Sequence, residues 1–281
     1  MTPSIRVQGV EVPAFMYGTA WKEDDTARCV AAAIGVGFRA IDTASQRKHY
    51  HEAGVGLGLA RACDERGLER SELFIQSKFT YRRGQDHRLP YDPRAPLATQ
   101  VEQSFATSLV NLRTPHLDAY LLHSPSSAEG LRSDDWEVWA AMERLYAAGK
   151  VSLLGISNVG AHHLDELAAH ARVPPAFVQN RCYARTGWDR EVRHACARHE
   201  LIYQGFSLLT ANRNLFSFPG FNEIRERHQR TEAQIVFRFA QQRAMLPLTG
   251  TTSPIHMRED LHGLDFDLAP DELDRIEALL V

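Results

Sequence analysis

Cysteine is scarce. The chain has four in 281 residues, Cys29, Cys63, Cys182 and Cys196, and no two stand in a C-x-x-C pair. That spacing excludes a zinc knuckle or a redox dithiol and leaves small buried thiols as the reading. No apolar run approaches the ~20 residues that cross a bilayer. The N-terminus lacks a basic region followed by an apolar stretch, so no secretory leader is expected and a reducing cytoplasm is the default compartment. Charge of one sign is missing too. A net charge of -3 gives no electrostatic case for nucleic acid or an anionic membrane as partner. Lysine is rare, with four among 32 basic residues, and the arginine excess reads as base composition rather than phosphate binding.

What the chain does have is a steady alternation of short apolar runs and amphipathic segments. Ile5 to Val12 predicts a hairpin turning at Gln8-Gly9. After it, strand patterns over Ala14–Thr19, Phe38–Thr43, Leu73–Phe79, Leu117–His123, Val151–Ser157, Phe177–Cys182, Leu201–Ser207 and Leu246–Leu248 are each followed by a helical pattern. The strand runs are almost wholly apolar, as in a parallel sheet buried on both faces. Eight β-then-α units predict an α/β fold, a (β/α)8 TIM barrel with an N-terminal β-hairpin and a C-terminal helix over Ala269–Leu280. A length of 281 residues suits one such domain over residues 1–281, and a doubly wound open sheet is the alternative.

Three of the strand patterns end on ionisable residues: Asp42, Lys78 and His123, with Tyr50 close behind the first. Burying a carboxylate, an ammonium and an imidazole at successive strand ends is costly, and that end of a barrel is where chemistry is done. A lysine beside a phenol lowers its pKa, an aspartate holds the lysine charged, and a histidine orients a carbonyl oxygen. Such a set can protonate an oxygen while another group delivers hydride. His49, Tyr50 and His51 have no carboxylate or Cys at ligand spacing, so no metal site is expected. The long connection Thr80–Pro96 is expected to overhang the site mouth. Thr210–Phe221 follows the seventh strand, a place where barrels hold phosphate groups. His162 and His163 read as surface residues, and Trp188 as core or pocket rim.

At this point the residues resemble a family. Gly37-Phe38-Arg39-Ala40-Ile41-Asp42-Thr43-Ala44, His49-Tyr50-His51-Glu52-Ala53-Gly54-Val55-Gly56, Leu121-Leu122-His123-Ser124-Pro125 and Gly155-Ile156-Ser157-Asn158 are similar to motifs of the aldo-keto reductase superfamily. The similarity runs from Gly18-Thr19 to about Leu261. It implies Asp42, Tyr50, Lys78 and His123 as a catalytic tetrad, with Tyr50 the general acid, Lys78 depressing its pKa and His123 positioning the carbonyl. It implies that Ser157, Asn158 and either Gln179 or Asn180 bind the nicotinamide carboxamide, and that Phe206 stacks on its ring. Thr19, Asp42, Ser207, Leu209, Gly250, Thr251, Thr252, His256 and Asp260 complete the cofactor-facing set. Trp21, Tyr50 and His123 would meet a small-molecule carbonyl substrate. The cofactor implied is NADPH, with NADH an open alternative, in a monomer or weak homo-oligomer.

Three departures from the pattern matter. Counting back from Glu52 puts His49 in the tyrosine's place, whereas counting forward from Asp42 puts Arg47 there; Tyr50 is the only phenol within reach. The family's adenine-side Lys falls on Gly250 and its Arg on His256, and His does not replace a bidentate Arg; Arg213 or Arg258 would have to compensate. The chain also stops at Val281, short of the family's long C-terminal loop, which implies an open pocket. Two other functions stay open: a non-catalytic nicotinamide-nucleotide sensor like the channel-associated β subunits, and a Schiff-base aldolase using Lys78.

Overall fold

The structure is a computed structural model that describes residues 3–279. It opens with a hairpin of β1 (Ser4–Val7) and β2 (Val10–Pro13), paired Ile5 to Val12 and Val7 to Val10. The two turn residues, Gln8 at φ 47° and Gly9 at φ 88°, are both left-handed, as a two-residue hairpin turn requires. Val7 and Val12 lie in one buried cluster with the inward side chains Met16, Ala40 and Phe74 of the barrel strands, so the hairpin plugs the lower end of the barrel.

Eight parallel strands close that barrel. In chain order the elements are β3 (Met16–Gly18), α1 (Thr26–Val36), β4 (Ala40–Asp42), α2 (Glu52–Arg66), β5 (Phe74–Phe79), α3 (Leu97–Leu112), β6 (Leu117–Leu122) and α4 (Ser133–Ala147). After them come β7 (Val151–Ser157), α5 (Ala161–His170), β8 (Phe177–Arg181), α6 (Arg190–Arg198), β9 (Ile202–Phe206), α7 (Pro219–His228), α8 (Glu232–Gln242), β10 (Met245–Thr249), α9 (Pro254–His262) and α10 (Pro270–Ala278). The eight expected strands and the barrel they form are present. The expected C-terminal helix ends at Ala278, and its last expected residue, Leu280, lies outside the described residues.

Helix α7 was not expected from the sequence, where Pro219 to Phe221 read as the tail of a loop and the rest of its residues carried no assignment. Its mean pattern is polar and it buries only Phe221 and Ile224. What starts it is Pro219 at the first helical position, where the missing N–H costs nothing. Helices α2 and α3 approach closely at Gly56: a Cβ there would stand 2.1 Å from the Asn111 carbonyl oxygen, so only glycine fits.

Strand alternation builds the site. Along β5, Phe74 joins the interior cluster while Ile75 joins the outer one beneath the helices, so Gln76 and Lys78 point inward as well. The same parity turns Ala40 and Asp42, Ala119 and Leu121, and Phe177 and Gln179 inward. The lower interior is therefore apolar, and its upper layer, at the C-terminal strand ends, is polar.

Candidate active site

A cavity of about 550 Å³ opens at that end of the barrel. Asp42, Tyr50 and His123 line one end; His256, Glu259 and Asp260 line the other. Trp21, Ser157, Asn158, Gln179, Phe206, Ser207, Leu209, Gly250 and Thr251 line it between. A cavity of this size with a few convergent polar groups is typical of a small-molecule site. Three lining residues hold left-handed backbone, Trp21 at φ 61°, Asn158 at φ 59° and Ser207 at φ 57°. Non-glycine residues reach that region at a cost of about 1–3 kcal/mol each, and such strain gathers at functional sites.

Lys78 and Asp42 form a fully buried pair, Nζ to Oδ1 2.6 Å. The Lys78 ammonium also donates to the Thr43 carbonyl at 2.8 Å. Burial pulls the Lys78 pKa down and the Asp42 carboxylate pushes it back up. Lys78 does not reach the cavity wall itself; its Nζ lies 5.4 Å from the centroid of the Tyr50 ring.

Tyr50 sits on the connection between β4 and α2. A tight turn, with the amides of His49 and Tyr50 both donating to the Gln46 carbonyl at 3.1 and 2.9 Å, takes up the extra residues of this segment. The turn delivers Tyr50 to the cavity and sends His49 against Trp21, ring centroids 4.0 Å apart. Tyr50 and His123 meet edge to face at 5.9 Å. The phenol differs from expectation in one respect. Burial, and after it the Asp42 carboxylate, raise its pKa above the usual phenol value. His123 has its pKa pushed down to about 3 by burial and by the Lys78 charge, so the imidazole is neutral. Its Nδ1 lies 2.7 Å from Thr80 Oγ1. A hydroxyl donating there leaves the proton on Nε2.

Of the two candidate amides, Gln179 lines the cavity and Asn180 does not. Parity turns Asn180 outward, where it bonds the Val159 carbonyl and Asp189. Thr19 is also off the wall, its hydroxyl donating to the Asp42 carbonyl at 2.9 Å, and Thr252 is exposed outside the cavity. The Thr80–Pro96 connection does not wall the site. Tyr81, Gln85 and Tyr91 fold back into the protein. Gln85 Nε2 donates to the Ser45 carbonyl at 2.7 Å, Arg83 clasps the Pro125 and Ser126 carbonyls, and Gln46 Nε2 reaches Gly84 O at 2.7 Å. The connection is a buttress for the two segments that carry Tyr50 and His123. Of Thr210–Phe221, Thr210 and Phe216 do line the cavity. Trp188 is core, packed at a tilt against Phe239 with ring centroids 4.7 Å apart. His163 is buried, its Nε2 3.1 Å from the Ser127 carbonyl oxygen.

Sequence reasoning missed Gln76, Gln204, Thr80 and Lys22. The first two are polar residues at inward positions of apolar strands, a signal that inward parity would have exposed. Lys22 is buried, its Nζ 2.8 Å from the Gly250 carbonyl oxygen, and burial lowers its pKa to about 8. It places a cation beside the position where the resemblance expects a lysine side chain. Among the described residues, no cluster of three or more His, Cys, Asp or Glu could hold a metal, and no helix is long and apolar enough to cross a membrane.

A family profile described as "Aldo/keto reductase family" matches residues 14–281. The chain is 31% identical over 273 residues to the glyoxal reductase of Bacillus subtilis, covering 96% of this chain and 90% of that protein. The same figures hold for the uncharacterized oxidoreductase YtbE of that organism. Among solved structures, an aldo/keto reductase from Brucella melitensis superposes with a TM-score of 0.83 at 25% identity over 99% of both chains. A Bombyx mori aldo-keto reductase, solved in complex with NADP, has the same fold, with a TM-score of 0.83 at 22% identity over 99% of this chain and 92% of that one.

Proposed function

The chain belongs to the aldo/keto reductase family, and from that premise we propose that it reduces an aldehyde or ketone to an alcohol, with Tyr50 giving the proton and Asp42, Lys78 and His123 shaping the site. The observation that carries the reading is the convergence of Tyr50, His123 and the buried Lys78–Asp42 pair at one end of a cavity whose floor presents amide groups. The nicotinamide dinucleotide, when bound, supplies the hydride that the carbonyl carbon receives.

The residues present fit such a cofactor. Gln179 Oε1 has no donor among the described residues and faces the cavity. Phe206 offers an aromatic face to a ring. Asp260, held by Thr249 Oγ1 at 2.8 Å, and Glu259 are acceptors suited to the amine and hydroxyls of an adenosine. The NADP of the silkworm relative makes NADPH the first cofactor to assay, with NADH beside it.

The rest is done by the chain. His123 Nε2 donates to the carbonyl oxygen and aims it at Tyr50. The phenol is fully protonated at neutral pH because its pKa is raised, and it transfers its proton to the oxygen as the carbon is reduced. The Lys78 charge near the ring stabilises the phenolate as it forms. Trp21, 68% exposed, forms the outer wall against which a substrate lies. The test is aldehyde-dependent consumption of NADPH, with glyoxal and an aromatic aldehyde as probes. Turnover supports the reading. Tight cofactor binding without turnover on any carbonyl refutes it and leaves the sensor alternative.

A further inference from the structure

Beneath the cavity floor, three glutamines and one carboxylate share a closed set of hydrogen bonds. A carboxylate only accepts. Gln76 and Gln179 therefore both turn Nε2 toward Asp42 Oδ1, at 2.7 and 3.0 Å. Each amide has a second N–H, and both of these go to Gln204 Oε1, at 2.8 and 2.9 Å. Gln204 Nε2 donates in return to Gln76 Oε1 at 3.0 Å. The carboxylate fixes one N–H of Gln76 and one of Gln179, and the Gln204 amide oxygen fixes the second N–H of each. Of the three amide oxygens in this set, only that of Gln179 has no donor among the described residues, and Gln179 is the one glutamine of the three that lines the cavity. Gln76 on β5 and Gln204 on β9 are both fully buried, and their strands stand diametrically opposite in the closed order of the barrel.

We propose that Gln204, backed by Gln76, is a positioning residue that locks the Gln179 amide with its oxygen toward the cavity, so that the site selects a nicotinamide whose carboxamide offers an N–H. The inference rests on the functional reading above, in which a nicotinamide dinucleotide binds here. Without the Gln204 amide oxygen, the second N–H of Gln179 has no acceptor in the barrel. Held by Asp42 alone, the amide pivots about that one bond and turns the second N–H toward the cavity, which moves its oxygen off the position that accepts the carboxamide N–H.

The test compares binding of NADP+ with its 3-acetylpyridine analogue, in which a methyl replaces the carboxamide NH2. Quenching of tryptophan fluorescence reports both, since Trp21 lines the cavity. The wild type is expected to prefer NADP+ by about fivefold, the worth of one hydrogen bond. Gln204→Met is expected to bind the two with equal affinity. Gln204→Glu is expected to restore the preference: beside Asp42 its carboxyl stays protonated and offers one acceptor oxygen and one donor hydroxyl, as the amide does. If Gln204→Met gives no cooperative melting transition, Gln76→Met is measured in its place with the same expectation.

A Gln204→Met protein that keeps the wild-type preference overturns the proposal. So does equal weakening of both ligands with the preference intact, the mark of a barrel brace with no effect on direction. A wild type that binds both ligands without preference sinks this inference alone. A wild type that binds neither sinks the functional reading, and this inference with it.

Discussion

Lys78→Met leaves Asp42 buried without its cation. The two side chains are 0% and 4% exposed and 2.6 Å apart. Removing one partner of such a pair costs about 3–5 kcal/mol. Asp42 Oδ1 keeps two amide donors, from Gln76 and Gln179, which sets the loss at the lower end, about 3 kcal/mol. For a domain of this size that is a fall in Tm of roughly 6–12 °C. The assay is thermal unfolding by circular dichroism, for Lys78→Met and for Asp42→Asn/Lys78→Met. The double variant holds no buried charge at this point and is expected to recover most of the lost stability. A double variant no more stable than Lys78→Met refutes the reasoning, as does a single variant that melts with the wild type.

His123, half-buried at the cavity wall with its pKa near 3, binds no proton in the folded state where the unfolded chain binds one near pH 6.5. Its contribution to stability is therefore full above about pH 6.5 and is lost as pH falls toward 3, at up to ~1.4 kcal/mol per pH unit. Urea midpoints at pH 4.5 and pH 7 are expected to differ less for His123→Asn than for the wild type, and an unchanged difference counts against a neutral imidazole. Thr80→Val removes the hydroxyl 2.7 Å from His123 Nδ1 and frees the ring to take the other tautomer. Turnover is expected to fall about tenfold and to return with Thr80→Ser, whereas full turnover in Thr80→Val would remove Thr80 from the account.

The barrel was legible in the sequence because parallel strands buried on both faces read as apolar runs, and five of the eight end on a residue that lines the cavity, Gly18, Asp42, Ser157, Phe206 and Thr249. Helix α7 was not legible, because Pro219 and Gly220 look like loop residues and the helix buries only Phe221 and Ile224. The tetrad could be named from motifs, but the placement of Tyr50 could not be counted from either flank. It is set by the turn around Gln46, which depends on a contact with Gly84 on another connection. Gln179 and Asn180 were ambiguous as neighbours in sequence, and strand parity separates them. The raised Tyr50 pKa was not legible, because its largest cause, burial of the phenol, is a property of the folded site. Gln76 and Gln204 were missed because each is a single polar residue within an apolar run, and their meaning emerges only when the barrel brings them together.

The most direct measurement is the rate of NADPH oxidation with an activated aromatic aldehyde, run for wild type and Tyr50→Phe at equal cofactor saturation. Turnover by the wild type and a loss of at least a hundredfold in Tyr50→Phe, in line with removal of a general acid, is the expected result. Full turnover in Tyr50→Phe would contradict the account and move the proton donor to His49 or to water.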